Sequence, residues 1–208
     1  MTNERRQLLM ECISFELDQE LLRESTEHPN QPFGVQGILQ RKGKTNQNGR
    51  VYPDEVLIRE AEKYSKTFIA QRRAMGELDH PESSVVNLKN VSHNVIEMHW
   101  VGDDLVGTVE VLTTPNGNIL RELFKNGIKL GISSRGLGTL KKISEDVSVV
   151  DDDFELIAFD FVSNPSTYGA FMYPVGKTPL SEGIVKNPIT NRWEKTDDIV
   201  RNILLEIG

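Results

Sequence analysis

Residues 130–140, LGISSRGLGTL, decide how this chain is read. An apolar run stops at Ser133, Ser134 and Arg135, with Gly131, Gly136 and Gly138 around them. A strand needing only burial does not put two hydroxyls and a guanidinium at its centre, because unpaired polar groups are costly inside a protein. Two readings compete: a polar strand-to-turn transition, or a nucleophile beside a preformed anion site. In the second, the glycines let backbone N–H groups approach a substrate carbonyl, and Arg135 adds positive charge. A serine hydroxyl is inert until a base accepts its proton and donors stabilise the oxyanion. The rest of the chain must supply that base.

There are four histidines. His28 lies in a linker-like stretch, STEHPNQP (25–32). His93 and His99 sit in or beside alternating segments, where a histidine is commonly a half-exposed strand residue. His80, in MGELDHPESS (75–84), differs: Pro81 holds it extended at the end of a sharp non-helical stretch. It is the candidate base, with an acid-flanked surface loop as the plainer reading. A third group should orient the imidazole, and LIAFDFVSNPS (156–166) offers Asp160. Strand alternation puts Ile157, Phe159 and Phe161 on one face and Ala158, Asp160 and Val162 on the other. A carboxylate in so apolar a strand needs a partner. Adjacent strand side chains point to opposite faces, so only one of Ser133 and Ser134 can meet His80. The other, with Arg135 and Gly136, would line the oxyanion site.

Other chemistries fit less well. ELDHPE (77–82) has no second histidine at helical spacing and no cysteine pair to make a metal site, and its acids, like Asp103-Asp104, read as solvated. RGLGTL lacks the lysine and spacing of a phosphate loop. Cys12, in an amphipathic stretch, reads as a core residue. No metal or cofactor is called for. With 208 residues and 38% hydrophobic content, the chain can bury one sizeable core with appendages. A net charge of −7 argues against nucleic acid or an anionic membrane as partner. One cysteine excludes an internal disulfide and suggests a reducing cytoplasm. Glu11, Glu16 and Asp18 break the first apolar run too early for a signal peptide. No stretch approaches the roughly 18 apolar residues of a membrane span.

Periodicity predicts a helix-like arm over 5–24, the linker, and then a β-rich α+β domain from about 33 to 175. Within it, FGVQGILQ starts as a strand. Pro53 opens a helix with acids in its first turn. NVIEMHWV and LVGTVEVL form a hairpin through Gly102-Asp103-Asp104. NILRELFKNG is a short helix ended by Gly127, and FELIAFDFVSNPS is a later strand. Beyond Pro174 the composition loosens, and DDIVRNILLEI (197–207) forms a separate helical pattern in a detachable tail, 176–208.

GELDHP, the Trp-containing strand pair, GISSRGLGTL and DFVSNPS occur in that order, with NGRVYP upstream. Together they resemble the prohead core protein proteases of T4-like tailed phages over roughly residues 34–172. The resemblance implies a serine endopeptidase that cleaves scaffold, core and major capsid proteins inside the immature head, in the host cytoplasm. It also implies a small β-barrel surrounded by helices, as in herpesvirus assembly proteases, and a homo-oligomer. The family's histidine falls on His80, its serine on the Ser133-Ser134 pair, with Ser133 matching the intervals best, and Asp160 would be the third member. Cleavage would follow a glutamate two residues after Leu or Ile. LSEG (180–183) and LRES (22–25) would then permit self-processing after Glu182 and Glu24. Arg41, Lys42, Lys44, Arg50 and Arg135 are candidates for the glutamate pocket. The alternative is a noncatalytic scaffold or capsid-binding protein that keeps the protease fold.

Overall fold

In the computed structural model, residues 6–10, 33–167, 170 and 172–174 are described. Their strands come from period-two runs of β-branched and aromatic residues, as the sequence suggests. In β2 (Phe33–Arg41), Phe33, Val35 and Leu39 turn inward while Gly34, Gln36 and Ile38 are only half-buried. β3 (Arg50–Val51) leads into α1 (Asp54–Tyr64), which starts after Pro53 and carries Asp54 and Glu55 in its first turn. Val56, Leu57, Ala61 and Tyr64 form its buried stripe, and a π-helical turn, Ser65–Ile69, extends it. β4 (Met75–Glu77) is short; β5 (Val91–Val101) and β6 (Asp104–Val111) form the expected hairpin, with Gly102 at φ 60° in its two-residue turn.

The second helix, α2 (Pro115–Lys125), starts three residues before the stretch read as helical, because the Thr114 hydroxyl accepts the Gly117 N–H at 3.1 Å and caps it. Gly127, at φ 71°, ends it as expected. β7 (Gly131–Gly138) holds the serine pair. β8 (Leu140–Lys142), β9 (Ser148–Val150), β10 (Glu155–Val162) and β11 (Met172–Pro174) complete the described elements.

Pairing yields three sheets: β1-β7-β10, β11-β2-β6-β5-β4 and β3-β9-β8, where β1 is Gln7–Met10. The two larger sheets meet at two seams. On one side Leu78 bridges Phe161 in parallel and the Asp79 N–H donates to the Phe161 carbonyl at 2.8 Å; on the other Ile132 N–H donates to the Ala170 carbonyl at 2.8 Å. These are isolated bonds rather than ladders, so no closed barrel forms among the described residues. The core between them contains Leu39, Leu57, Val95, Leu120, Phe124, Ile132 and Phe161. Gly76 lets β4 lie close against β10: a Cβ there would strike the Phe159 carbonyl and the His93 ring.

Three expectations change. Gln7–Met10, read as the start of a helical arm, is a strand antiparallel to β7, with Leu9 opposite Gly136 and fully buried. The pairing and burial of Leu9 outweigh local helical spacing, which is a weak prior over four residues. The rest of that arm, Cys12, the linker with His28, Glu24, and the tail with Glu182 lie outside the described residues. His93 is not half-exposed but completely buried. Its Nε2–H donates to the Phe159 carbonyl at 2.9 Å and its Nδ1 faces the Ser92 hydroxyl at 2.8 Å, which pins it at the seam. Finally, Asp104 is not solvated; it is buried and forms a two-pronged ion pair with Arg41.

Burial pushes the His93 pKa down, from 6.5 to about 4. The unfolded chain therefore binds a proton below pH 6.5 that the folded chain refuses until about pH 4. Stability from this residue is complete above pH 6.5 and falls by about 3 kcal/mol as pH drops to 4. Urea unfolding of wild type should show this slope between pH 6.5 and 4, and His93→Gln should flatten it there.

Candidate active site

The serine stretch is neither a turn nor a strand end. Ser133 and Ser134 lie in the middle of β7, which runs without a break from Gly131 to Gly138. Its glycines serve packing: a Cβ on Gly131 would meet the Pro165 ring, and one on Gly136 would lie 2.6 Å from the Glu155 carbonyl oxygen. β10 pairs antiparallel with β7, placing Asp160 opposite Ser133, Phe159 opposite Ser134, and Ala158 opposite Arg135. Directly opposed residues share a face, so Asp160, Ser133 and Arg135 project to one side.

His80 arrives on that same side from the first seam. Hydrogen bonding to Phe161 anchors Asp79, which takes φ 69°, a left-handed conformation that aspartate tolerates. The chain turns there, and Pro81 keeps His80 extended beyond the turn. The imidazole then bridges two strands: Nδ1 lies 2.8 Å from Asp160 Oδ2 and Nε2 lies 2.7 Å from Ser133 Oγ. A carboxylate can only accept, so Nδ1 carries the proton and Nε2 is the acceptor for the serine O–H. The three side chains come from positions 80, 133 and 160 and form one continuous hydrogen-bonded line.

Asp160 is fully buried. Besides His80, its Oδ2 accepts from Arg135 Nε at 2.8 Å; its Oδ1 accepts from Arg135 Nη2 at 3.1 Å and from the Glu77 N–H at 2.9 Å. Burial alone would raise its pKa, but the His80 hydrogen bond, the Arg135 guanidinium and the Glu77 N–H together bring it below the ordinary carboxylate value. Asp160 therefore stays ionised at neutral pH.

The structure separates the two serines. Ser134 points to the opposite face, where its Oγ accepts from Gln40 Nε2 at 2.8 Å; Gln40 Oε1 in turn accepts from Thr167 Oγ1 at 2.5 Å. Ser134 is thus held away from His80 and does not fit as an alternative nucleophile. Arg135 is equally committed: its side chain is fully buried against Asp160 and Glu77 and donates from Nη1 to the Ser83 carbonyl at 2.6 Å. It does not face outward as an oxyanion donor. Gly136, opposite Leu156 and Leu9, sits inside the sheet.

Two participants were not read from the sequence. Gln40, at the end of FGVQGILQ, carries no sequence signal that sets it apart. Glu77 was grouped with solvated acids, yet it is 1% exposed and its Oε1 accepts from both Arg135 Nη2 at 3.1 Å and the Asn87 N–H at 3.0 Å. A signal existed: an arginine in an apolar strand needs more anionic partners than one aspartate shared with a histidine. Among the described residues, no group of three or more His, Cys, Asp or Glu side chains is placed to hold a metal ion.

The geometry gives a direct contrast. A fluorophosphonate probe should label the wild-type chain, and Ser133→Ala should abolish labelling. Ser134→Ala should keep labelling within about threefold, with a modest loss of stability from the unpaired Gln40 amide, about 1–3 kcal/mol. Labelling lost from Ser134→Ala but kept in Ser133→Ala would reverse the assignment.

Comparison with known proteins finds likenesses of sequence and of fold. A family model described as prohead core protein serine protease matches residues 24–181. The prohead core protein protease of Enterobacteria phage T4 is 30% identical over 143 residues, covering 67% of this chain and 68% of that protein. The solved structure of the bacteriophage T4 capsid assembly protease matches with a TM-score of 0.63 at 24% identity, covering 79% of this chain and 98% of that one. That second likeness is one of fold.

Proposed function

Because the chain belongs to the prohead core protein serine proteases, we propose that it is the endopeptidase that cleaves scaffold, core and major capsid proteins inside the phage prohead, with Ser133 as nucleophile, His80 as general base and Asp160 as the group that orients the imidazole. The observation that carries this is the unbroken hydrogen-bonded line from Asp160 Oδ2 through His80 to Ser133 Oγ. In the first step Ser133 Oγ attacks the scissile carbonyl carbon while its proton passes to His80 Nε2. The carbonyl electron pair moves to oxygen. Collapse of that intermediate breaks the C–N bond, and His80 returns the proton to the leaving amine. A water then repeats the sequence on the acyl-enzyme. Asp160 holds the proton on Nδ1, so that Nε2 faces the serine as a base, and stabilises the imidazolium.

We assign cleavage after glutamate in Leu/Ile-x-Glu sequences and self-processing after Glu182 and Glu24 to the same activity. Of the five basic residues considered for the glutamate pocket, Arg41 is taken by Asp104, Lys42 by Asp54, Arg50 donates to the Met10 carbonyl and Arg135 lies inside the cluster. Lys44 lines a small pocket with Gln40, Thr45 and Thr167 on the Ser134 face of the serine strand, away from His80, which leaves the glutamate pocket unassigned among the five. Ser133 is fully buried, so a peptide, like a serine-directed probe, reaches it only when the surrounding structure opens. The reading also takes residues 33–175 as the protease domain with a separable arm (1–32) and tail (176–208), a homo-oligomeric state in the host cytoplasm, and fold kinship with herpesvirus assembly proteases, the two seams being where a barrel would close. The noncatalytic scaffold has no observation in its favour.

Mass spectrometry of wild type incubated at pH 7 should reveal loss of the segment after Glu182, and cleavage at Glu24, at rates that fall at least about 10³-fold in Ser133→Ala. An intact tail in protein that labels with a serine probe would remove self-processing while leaving the protease assignment in place.

A further inference from the structure

We propose that Glu77 is a positioning residue of this site: its buried carboxylate, acting through Arg135, sets the charge of the cluster so that His80 can take up the serine proton. The proposal rests on the His80–Ser133–Asp160 reading above.

The argument starts from a problem that Arg135 creates. Its guanidinium forms a two-pronged pair with Asp160 at 2.8 and 3.1 Å, inside the protein, where such a pair is close to neutral. An aspartate neutralised by arginine offers little to an imidazolium. Glu77 restores what Arg135 removes. Its Oε1 is 3.1 Å from Arg135 Nη2 and both side chains are essentially unexposed. With Asp160 and Glu77 negative, Arg135 positive and His80 neutral, the resting cluster holds one net negative charge. When the proton leaves Ser133 Oγ for His80 Nε2 the cluster becomes neutral, and the new negative charge sits on the substrate oxygen outside it. Catalysis thus discharges a buried site instead of charging one, the direction that a low dielectric favours.

A second observation separates this from simple stability. Glu77 Oε2 is buried with no hydrogen-bond partner among the described residues. A half-satisfied buried carboxylate is an expensive way to anchor a loop; glutamine in its place would carry no charge.

The surroundings leave the count intact. From β4 and its turn, Asp79 Oδ1 accepts the His80 N–H at 2.9 Å, in a more exposed position. Glu82, in the following loop, is exposed. From α1, burial raises the Tyr64 phenol's pKa, which keeps it neutral. From β5, burial holds His93 neutral, with its pKa at about 4.

The test is a charge-swap series on the full chain: Glu77→Gln, Arg135→Met, and both together. Each is read by NMR titration of the His80 ring and by the pH profile of fluorophosphonate labelling. Glu77→Gln makes protonation of His80 create a buried positive charge, so its titration should move about one unit lower, and plateau labelling should fall about tenfold or more. Arg135→Met leaves two negative charges, so the titration should move higher. The double variant restores one negative charge, and its titration should return close to wild type. A role confined to holding the loop after His80 predicts no opposite shifts and no rescue. Identical His80 titrations in wild type and Glu77→Gln would overturn the proposal; if Glu77→Gln does not fold, an unshifted Arg135→Met overturns it alone. Labelling that survives Ser133→Ala would instead remove the catalytic reading on which the proposal rests.

Discussion

The ion pair between Arg135 and Asp160 is the contact on which this structure turns. Both side chains are completely buried, and neither would be stable there alone, since an isolated charge inside a protein is destabilising by several kcal/mol. Each therefore requires the other, and together they require β7 and β10 to be neighbours in one register. A slip of one residue would move Asp160 to the opposite face, deprive Arg135 of that partner, and place a phenylalanine where the carboxylate sits. The register that stabilises the sheet is the one that aligns the chemistry.

Around that pair, every element near the site serves a positioning task. Gly76 lets β4 press against β10, so that the Glu77 N–H reaches Asp160 at 2.9 Å. The Asp79 turn then lifts the chain off the sheet, and Pro81 stops it from coiling, which delivers His80 over the strand pair. Arg135 also grips the Ser83 carbonyl, tying the loop after His80 to the same cluster. The serine needs no sharp elbow to be presented. It stands in mid-strand, and the imidazole is brought to it. On the far face Gln40 and Thr167 occupy Ser134, so neighbouring hydroxyls of identical chemistry have unrelated partners.

Membership of the prohead protease family and this geometry bear on different levels. The family names the kind of reaction; the geometry says which atoms can perform it. A buried cluster of two carboxylates, one guanidinium and one imidazole suits a reaction in which a proton arrives on the imidazole. It would suit poorly a site that only binds.

Much of this was legible in the sequence because it depends on local pattern. Alternation in β2, β5, β6 and β10, the Gly102 turn, the Pro53 and Gly127 boundaries of the helices, and the opposition of Ser133 to Ser134 all follow from periods of two or 3.6 and from backbone limits of single residues. Those same rules singled out Asp160 as a carboxylate in need of a partner. They could not say which face of β7 looks toward His80, because that depends on pairing between strands far apart in the chain. Nor could they show that Glu77, His93 and Asp104 are buried: an acidic or imidazole side chain reads as exposed until its partner is known, and those partners lie 58, 66 and 63 positions away. Gln7–Met10 looked helical because its strand partner comes more than a hundred residues later. The sequence alone determined which side chains were chemically capable and which way each strand could turn them; the tertiary structure alone decided who meets whom, because burial of charge is settled by contacts between distant segments.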